Sequence, residues 1–123
     1  MSKRVLVVED HEENRRILRL LLQSAGIEML EAVTGEEGVA MAEKERPDLI
    51  LMDIQLQGLD GYEATRRIKG NPALRPIPII VVTSYALSGD DAKAFEAGCD
   101  AYVTKPFVPR ELLAKVREHL GTS

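Results

Sequence analysis

Five short runs rich in β-branched residues and leucine punctuate the chain: "RVLVV" (4–8), "EMLEAV" (28–33), "DLILM" (48–52), "IPIIVV" (77–82) and "AYVT" (101–104). Each leads into a longer segment of helical period. Five strand–helix units in succession leave few ways to fold. Parallel neighbours need a crossover of about a dozen residues or more, a helix fills it, and the crossover is right-handed. The expected architecture is α/β: a doubly wound, five-stranded parallel sheet with five helices on both faces. The central runs are apolar at nearly every position, as suits strands covered on both sides.

Helix faces and ends agree with this plan. Leu18, Leu21, Leu22 and Ala25 share one side of the first helix, with Arg15, Arg16 and Arg19 largely on the other. Leu112, Val116 and Leu120 recur four apart in the last. Thr34 with Glu37 and Asp60 with Glu63 match capping boxes, Ser88 precedes the fourth helix, and Pro109 suits a first helical turn. Gly26, Pro47, Gly70 and Gly98 are expected just past the ends of the first four helices.

At 123 residues, with 45% hydrophobic and 29% charged, the chain fits one domain over 1–123, with no attached output domain expected. No apolar run approaches the ~20 residues of a spanning helix. The start, Lys3-Arg4 and then "VLVVED", breaks off at two acids, unlike a signal peptide, so no membrane association and a cytoplasmic location are expected. The single Cys99 excludes an internal disulfide and a cysteine zinc site, and is read as a small buried side chain. A net charge of −4 argues against direct binding of nucleic acid.

The stretch "LILMDIQLQGLDG" (49–61) raises the functional question, because a buried strand ends there on a carboxylate, Asp53. Polar groups close other strands too: Glu9-Asp10 the first, Thr83-Ser84 the fourth, Lys105-Pro106 the fifth. In open α/β sheets ligands bind outside the carboxyl ends of the strands, where the strand order reverses. Three carboxylates within ~4 Å of one another repel by roughly 4 kcal/mol per pair at an effective dielectric near 20, so they need counter-charge or protons. A divalent cation and one lysine supply it, and an oxygen-only set with few protein ligands suits magnesium better than calcium. Singly, Asp10 could cap the next helix, Asp53 a loop, and Lys105 could be a solvated charge. Caps, however, need no lysine across the sheet edge.

"VLVVED", "LILMDIQL", "IIVVTS" and "YVTKPF", in this order and at these separations, resemble the receiver domain of two-component response regulators over nearly the whole chain. The resemblance implies a flavodoxin-like fold and phosphoryl transfer from the phosphohistidine of a histidine kinase or histidine phosphotransfer protein onto Asp53. It implies that Glu9, Asp10, Asp53 and the Gln55 carbonyl hold Mg2+, that Thr83 binds a phosphoryl oxygen, and that Lys105 pairs with the phosphoryl group. Thr83 and Tyr102 would form a switch altering the face of the fourth helix, fifth strand and fifth helix for a downstream protein partner. Tyr102 has an equally simple explanation as a packing residue at a strand edge. Lys105-Pro106 matches the family's lysine-proline step and implies a cis bond.

Departures from the pattern carry their own expectations. Leu56-Gln57 replaces a common leucine-proline, so that loop is expected to be more mobile. Ser84 adds bulk beside the phosphoryl path, and Gln55 and Tyr85 are expected at the mouth of the site, with Tyr85 slowing hydrolysis of the acyl phosphate. His11 is read as a polar residue of the first helical turn in preference to a phosphorylated or metal-bound one, and His119 as a favourable charge at a helix end. A haloacid-dehalogenase-like phosphatase would need an acid where Gln55 stands, and a flavodoxin a phosphate loop where Glu9-Asp10 would repel phosphate. A phosphohistidine carrier would be all-helical. The surviving alternative is a non-phosphorylated pseudo-receiver acting as a binding module.

Overall fold

The computed structural model describes residues 3–56, 58–83 and 90–121. The order is β1 (Arg4–Val8), α1 (Glu12–Ser24), β2 (Glu28–Ala32), α2 (Gly35–Glu45), β3 (Leu49–Asp53), α3 (Gly61–Gly70), β4 (Ile79–Thr83), α4 (Asp90–Ala97), β5 (Ala101–Thr104) and α5 (Pro109–Leu120). All strand pairs are parallel, in the order β2-β1-β3-β4-β5. The order reverses between β1 and β3, so a crevice opens where the first and third strands end.

Strand parity sorts the core into two layers. Leu6, Val8, Ile50, Met52, Ile79 and Val81 face one side, where Ala42 of α2, Ala64 and Ile68 of α3 and Ala94 of α4 pack. Val5, Val7, Leu49, Leu51 and Ile80 face the other, against Leu18 and Leu22 of α1 and Leu112, Val116 and Leu120 of α5. Each fully buried Leu or Ile contributes on the order of 1.5–3 kcal/mol. The same parity continues beyond the apolar runs and puts Glu9 and Asp53 on the α1/α5 side. Register sets them side by side, since Val7 pairs with Leu51 and Val8 with Met52.

Most helix ends follow the sequence. Thr34 accepts from the Glu37 N–H at 3.0 Å and Asp60 from the Glu63 N–H at 2.8 Å. In the first pair the Glu37 carboxylate returns to the Val33 N–H, one residue short of the reciprocal bond of a full box. Pro109 opens α5, and Gly26 and Gly98 adopt positive φ just past their helices. Gly70 differs: it is the last residue of α3, and Asn71 caps the helix in extended conformation. Ser88 and Gln57 lie outside the described residues.

Candidate functional site

Asp10 is not a helix cap. His11 occupies the N-cap position of α1, with extended backbone and no capping side-chain bond. Asp10 Oδ1 is instead buried without a hydrogen-bond partner among the described residues, and so is Asp53 Oδ2. A buried carboxylate oxygen that accepts no hydrogen bond is costly, and the Lys105 and His11 nitrogens near these two compensate them only in part, so the pair marks a place for a positive ligand.

Around them the sequence-expected groups assemble. Glu9 is 2% exposed and Asp53 4%. Lys105 Nζ, carried past the end of β5, lies 2.9 Å from Glu9 Oε1 and 3.3 Å from Asp53 Oδ2. The Lys105–Pro106 bond is cis, as the family resemblance implies. The Gln55 N–H donates to Asp53 Oδ1 at 3.2 Å, which fixes one carboxylate oxygen and leaves the other towards the lysine. Glu9 Oε1 also accepts from Asn14 Nδ2 at 3.3 Å, and Oε2 from the His11 N–H at 3.1 Å. Carboxyl oxygens of Glu9, Asp10 and Asp53 and a ring nitrogen of His11 all lie within 4.8 Å of one another.

The two buried carboxyls diverge for physical reasons. Burial pushes both up; on Glu9 the Lys105 ammonium and the His11 N–H overcome it and hold the group down to about 2. On Asp53 burial and the adjacent Glu9 charge prevail over Lys105 and raise it to about 6. Burial alone would lower the Lys105 ammonium, but the two carboxylates raise it. The outcome is a Glu9 that is ionised near neutral pH and holds the Lys105 ammonium beside Asp53, whose own charge is costly until a cation arrives.

Thr83 ends β4 fully buried, and its carbonyl accepts from the Lys105 N–H at 2.7 Å, tying the fourth and fifth strand ends together. Tyr102 is half-buried and packs against the core layer on the α2–α4 side. Ser84 and Tyr85 lie outside the described residues.

Sequence reasoning missed four supports of the site. Arg15 reaches back to donate to the Glu9 carbonyl at 2.9 Å, and Asn14 holds the Glu9 side chain. Gly61 lies so close to Asp53 that a Cβ there would stand 2.2 Å from the Asp53 carbonyl oxygen. Glu36, at the start of α2, accepts from the Leu59 N–H at 3.2 Å and anchors the loop that follows Asp53. Glu36→Ala is expected to cost about 1 kcal/mol through this lost bond, measurable by urea unfolding against wild type.

The chain belongs to the response regulator receiver domain family, whose model matches residues 5–117. It is 40% identical over 121 residues to the polar-differentiation response regulator DivK of Brucella anthropi, covering 98% of both chains. Among solved structures, a putative response regulator from Chloroflexus aurantiacus superposes with a TM-score of 0.94 at 33% identity, covering 98% of this chain and 99% of that one. The receiver domain of the sensor histidine kinase PA1611 from Pseudomonas aeruginosa, described with a magnesium ion coordinated in its active-site cleft, gives 0.92 at 37%, covering 99% and 100%. These likenesses match the five-stranded flavodoxin-like fold built above. Among the described residues no helix is long and apolar enough to cross a membrane.

Proposed function

We propose that this chain is a cytoplasmic phosphoacceptor that takes a phosphoryl group from a histidine kinase or histidine phosphotransfer protein onto Asp53, with Mg2+, and so changes its affinity for a downstream protein. The observation that carries this is the buried Asp53 Oδ2, which accepts no hydrogen bond among the described residues and lies 3.3 Å from Lys105 Nζ at the crevice. Asp53 attacks phosphorus, the new P–O bond forms as the P–N bond to the donor imidazole breaks, and the bonding pair returns to that imidazole. The Gln55 N–H steadies the Asp53 carboxylate through Oδ1, so that one oxygen can meet the cation while the other attacks phosphorus. Lys105 is drawn from Glu9 and Asp53 towards the arriving phosphoryl oxygens, where charge develops during transfer.

The donor set fits magnesium, since Asp10 and Asp53 each present a hard, buried oxygen that accepts no hydrogen bond among the described residues, and few protein carboxylates converge there. Asp10, Asp53 and the Gln55 carbonyl would hold it. Glu9, whose oxygens already accept from Lys105, Asn14 and His11, would act from the outer side. Held by these residues, a magnesium ion would supply positive charge to offset that on the transferring group. Thr83 would then bind a phosphoryl oxygen, and Tyr102 would follow it inward as the switch. Gln55, Ser84 and Tyr85 would govern access of the hydrolytic water, so Tyr85→Ala should shorten the lifetime of the phosphorylated form.

A protein donor needs a seat beside Asp53. An exposed groove lined by Asn14, Ile17, Lys105, Pro106, Phe107 and Pro109 adjoins the site, and Lys105 lines both. Ile17 and Leu20 stand exposed on α1. A phosphohistidine-bearing helix that packed there would bring its imidazole to the crevice. Ile17→Asp should therefore slow transfer from a phosphorylated histidine phosphotransfer protein at least about tenfold, the effect of losing a buried anchor, while uptake from acetyl phosphate stays unchanged. Equal loss from both donors would refute the docking surface, and absence of transfer to wild type from any donor would refute the function.

A further inference from the structure

His11 is the one member of the carboxylate cluster that the proposed chemistry leaves without a task. Its ring Nδ1 lies 3.0 Å from Asp10 Oδ1 and 3.3 Å from Glu9 Oε2, and the side chain is 68% exposed. Its backbone N–H is bonded to Glu9 Oε2, so the ring is carried on a fixed stem at the start of α1. A separation of about 3.0 Å is the edge of an octahedron whose metal–ligand bonds are about 2.1 Å. The Asp10 oxygen at the other end of that edge is buried without a hydrogen-bond partner among the described residues. Asp53, nearly fully buried and with Oδ2 accepting no hydrogen bond among the described residues though Lys105 stands 3.3 Å away, brings a further carboxylate oxygen within 4.8 Å of these atoms.

We propose that His11 is a nitrogen donor to this cation site, making it a mixed oxygen–nitrogen site that takes imidazole-accepting divalent ions, nickel among them, more tightly than its carboxylates alone would. The inference rests on the metal site of the preceding section and adds a ligand to it. Hard oxygen donors suit magnesium, which keeps its waters and gains little from imidazole. First-row transition ions gain strongly from imidazole. His11 therefore leaves magnesium binding nearly untouched and sets how well transition ions compete with it. The simpler role, an imidazole N–H that only bonds Asp10 and Glu9, would be reproduced by an asparagine amide.

The test uses untagged protein and nickel and magnesium as probes, with calorimetric affinities for wild type, His11→Asn and His119→Asn. His119, the other histidine of the chain, sits on α5 with Nδ1 against the Lys115 carbonyl. His11→Asn should lower nickel affinity about tenfold or more and change magnesium affinity less than about twofold, with His119→Asn like wild type. Spin-echo spectra of the manganese-loaded protein should show imidazole nitrogen modulation that His11→Asn removes. Unchanged nickel affinity in His11→Asn, or no nitrogen modulation in wild type, would overturn the assignment while leaving the magnesium site standing. Failure of wild type to bind either ion would overturn both.

Discussion

Gly61→Ala is expected to destabilise the protein by more than about 3 kcal/mol and to displace Asp53, one of the largest effects any single methyl group can have here. The added Cβ would lie 2.2 Å from the Asp53 carbonyl oxygen, 2.7 Å from Ile54 Cα and 2.9 Å from the Asp53 carbonyl carbon. All three are backbone atoms of the strand end, so no side chain can rotate away. The Gly61 N–H is bonded to the Ile54 carbonyl, and its own carbonyl accepts from Thr65 Oγ1 at 2.7 Å, so the helix start cannot back off freely either. Gly70→Ala is the control: nothing stands within 4 Å of its Cβ and its φ is not positive, so stability should be unchanged or raised by up to about 1 kcal/mol. Urea unfolding of the two variants checks the contrast, and equal stabilities would contradict the close packing of α3 on the Asp53 backbone.

Asp53→Asn is expected to stabilise the metal-free protein near neutral pH by on the order of 2–3 kcal/mol, because it removes a buried charge beside Glu9 and keeps an acceptor for the Gln55 N–H. The pH dependence follows from the same cause. Asp53 is raised from 3.8 to about 6 in the folded protein, so the folded state holds its proton longer than the unfolded state. Its contribution is full below about 4 and is lost as pH rises through about 6. Glu9 works in the opposite sense: lowered from 4.5 to about 2, it stabilises above about 4.5 and its contribution fades as pH falls towards 2. In chelator, wild type should therefore lose stability between about pH 4 and 7 relative to Asp53→Asn. Millimolar magnesium should close most of that gap by mass action. Parallel stability curves for the two proteins across this range would show that Asp53 carries no strained charge.

Strand parity explains why so much of this was readable from residues alone. An apolar run such as "LILM" that ends on a charge conflicts with burial unless the charge has work to do, and three such strand ends at one sheet edge locate Asp53, Glu9, Asp10 and Lys105 without coordinates. Parity then fixes which face each side chain takes. The supports were hidden because they depend on what crosses the loops. Asp60-Gly61 reads locally as a cap and a helix start, and only the return of α3 against β3 shows why position 61 has room for a hydrogen alone. Arg15 looks like a solvated charge on the outer face of α1, yet it bonds the Glu9 carbonyl and pairs with Glu31 on the edge strand β2. Gly70 misled for a local reason, since the polypeptide leaves α3 through an extended Asn71 and needs no left-handed residue there.

Intact-mass measurement after incubation with acetyl phosphate tests the central claim most directly, run on wild type and Asp53→Asn with magnesium or with chelator. Wild type should gain the mass of one phosphoryl group in magnesium and none in chelator, and Asp53→Asn, shown to be folded by its melting curve, should gain none in either. Equal uptake by Asp53→Asn, or uptake by wild type that persists in chelator, would contradict Asp53 as a metal-assisted phosphoacceptor.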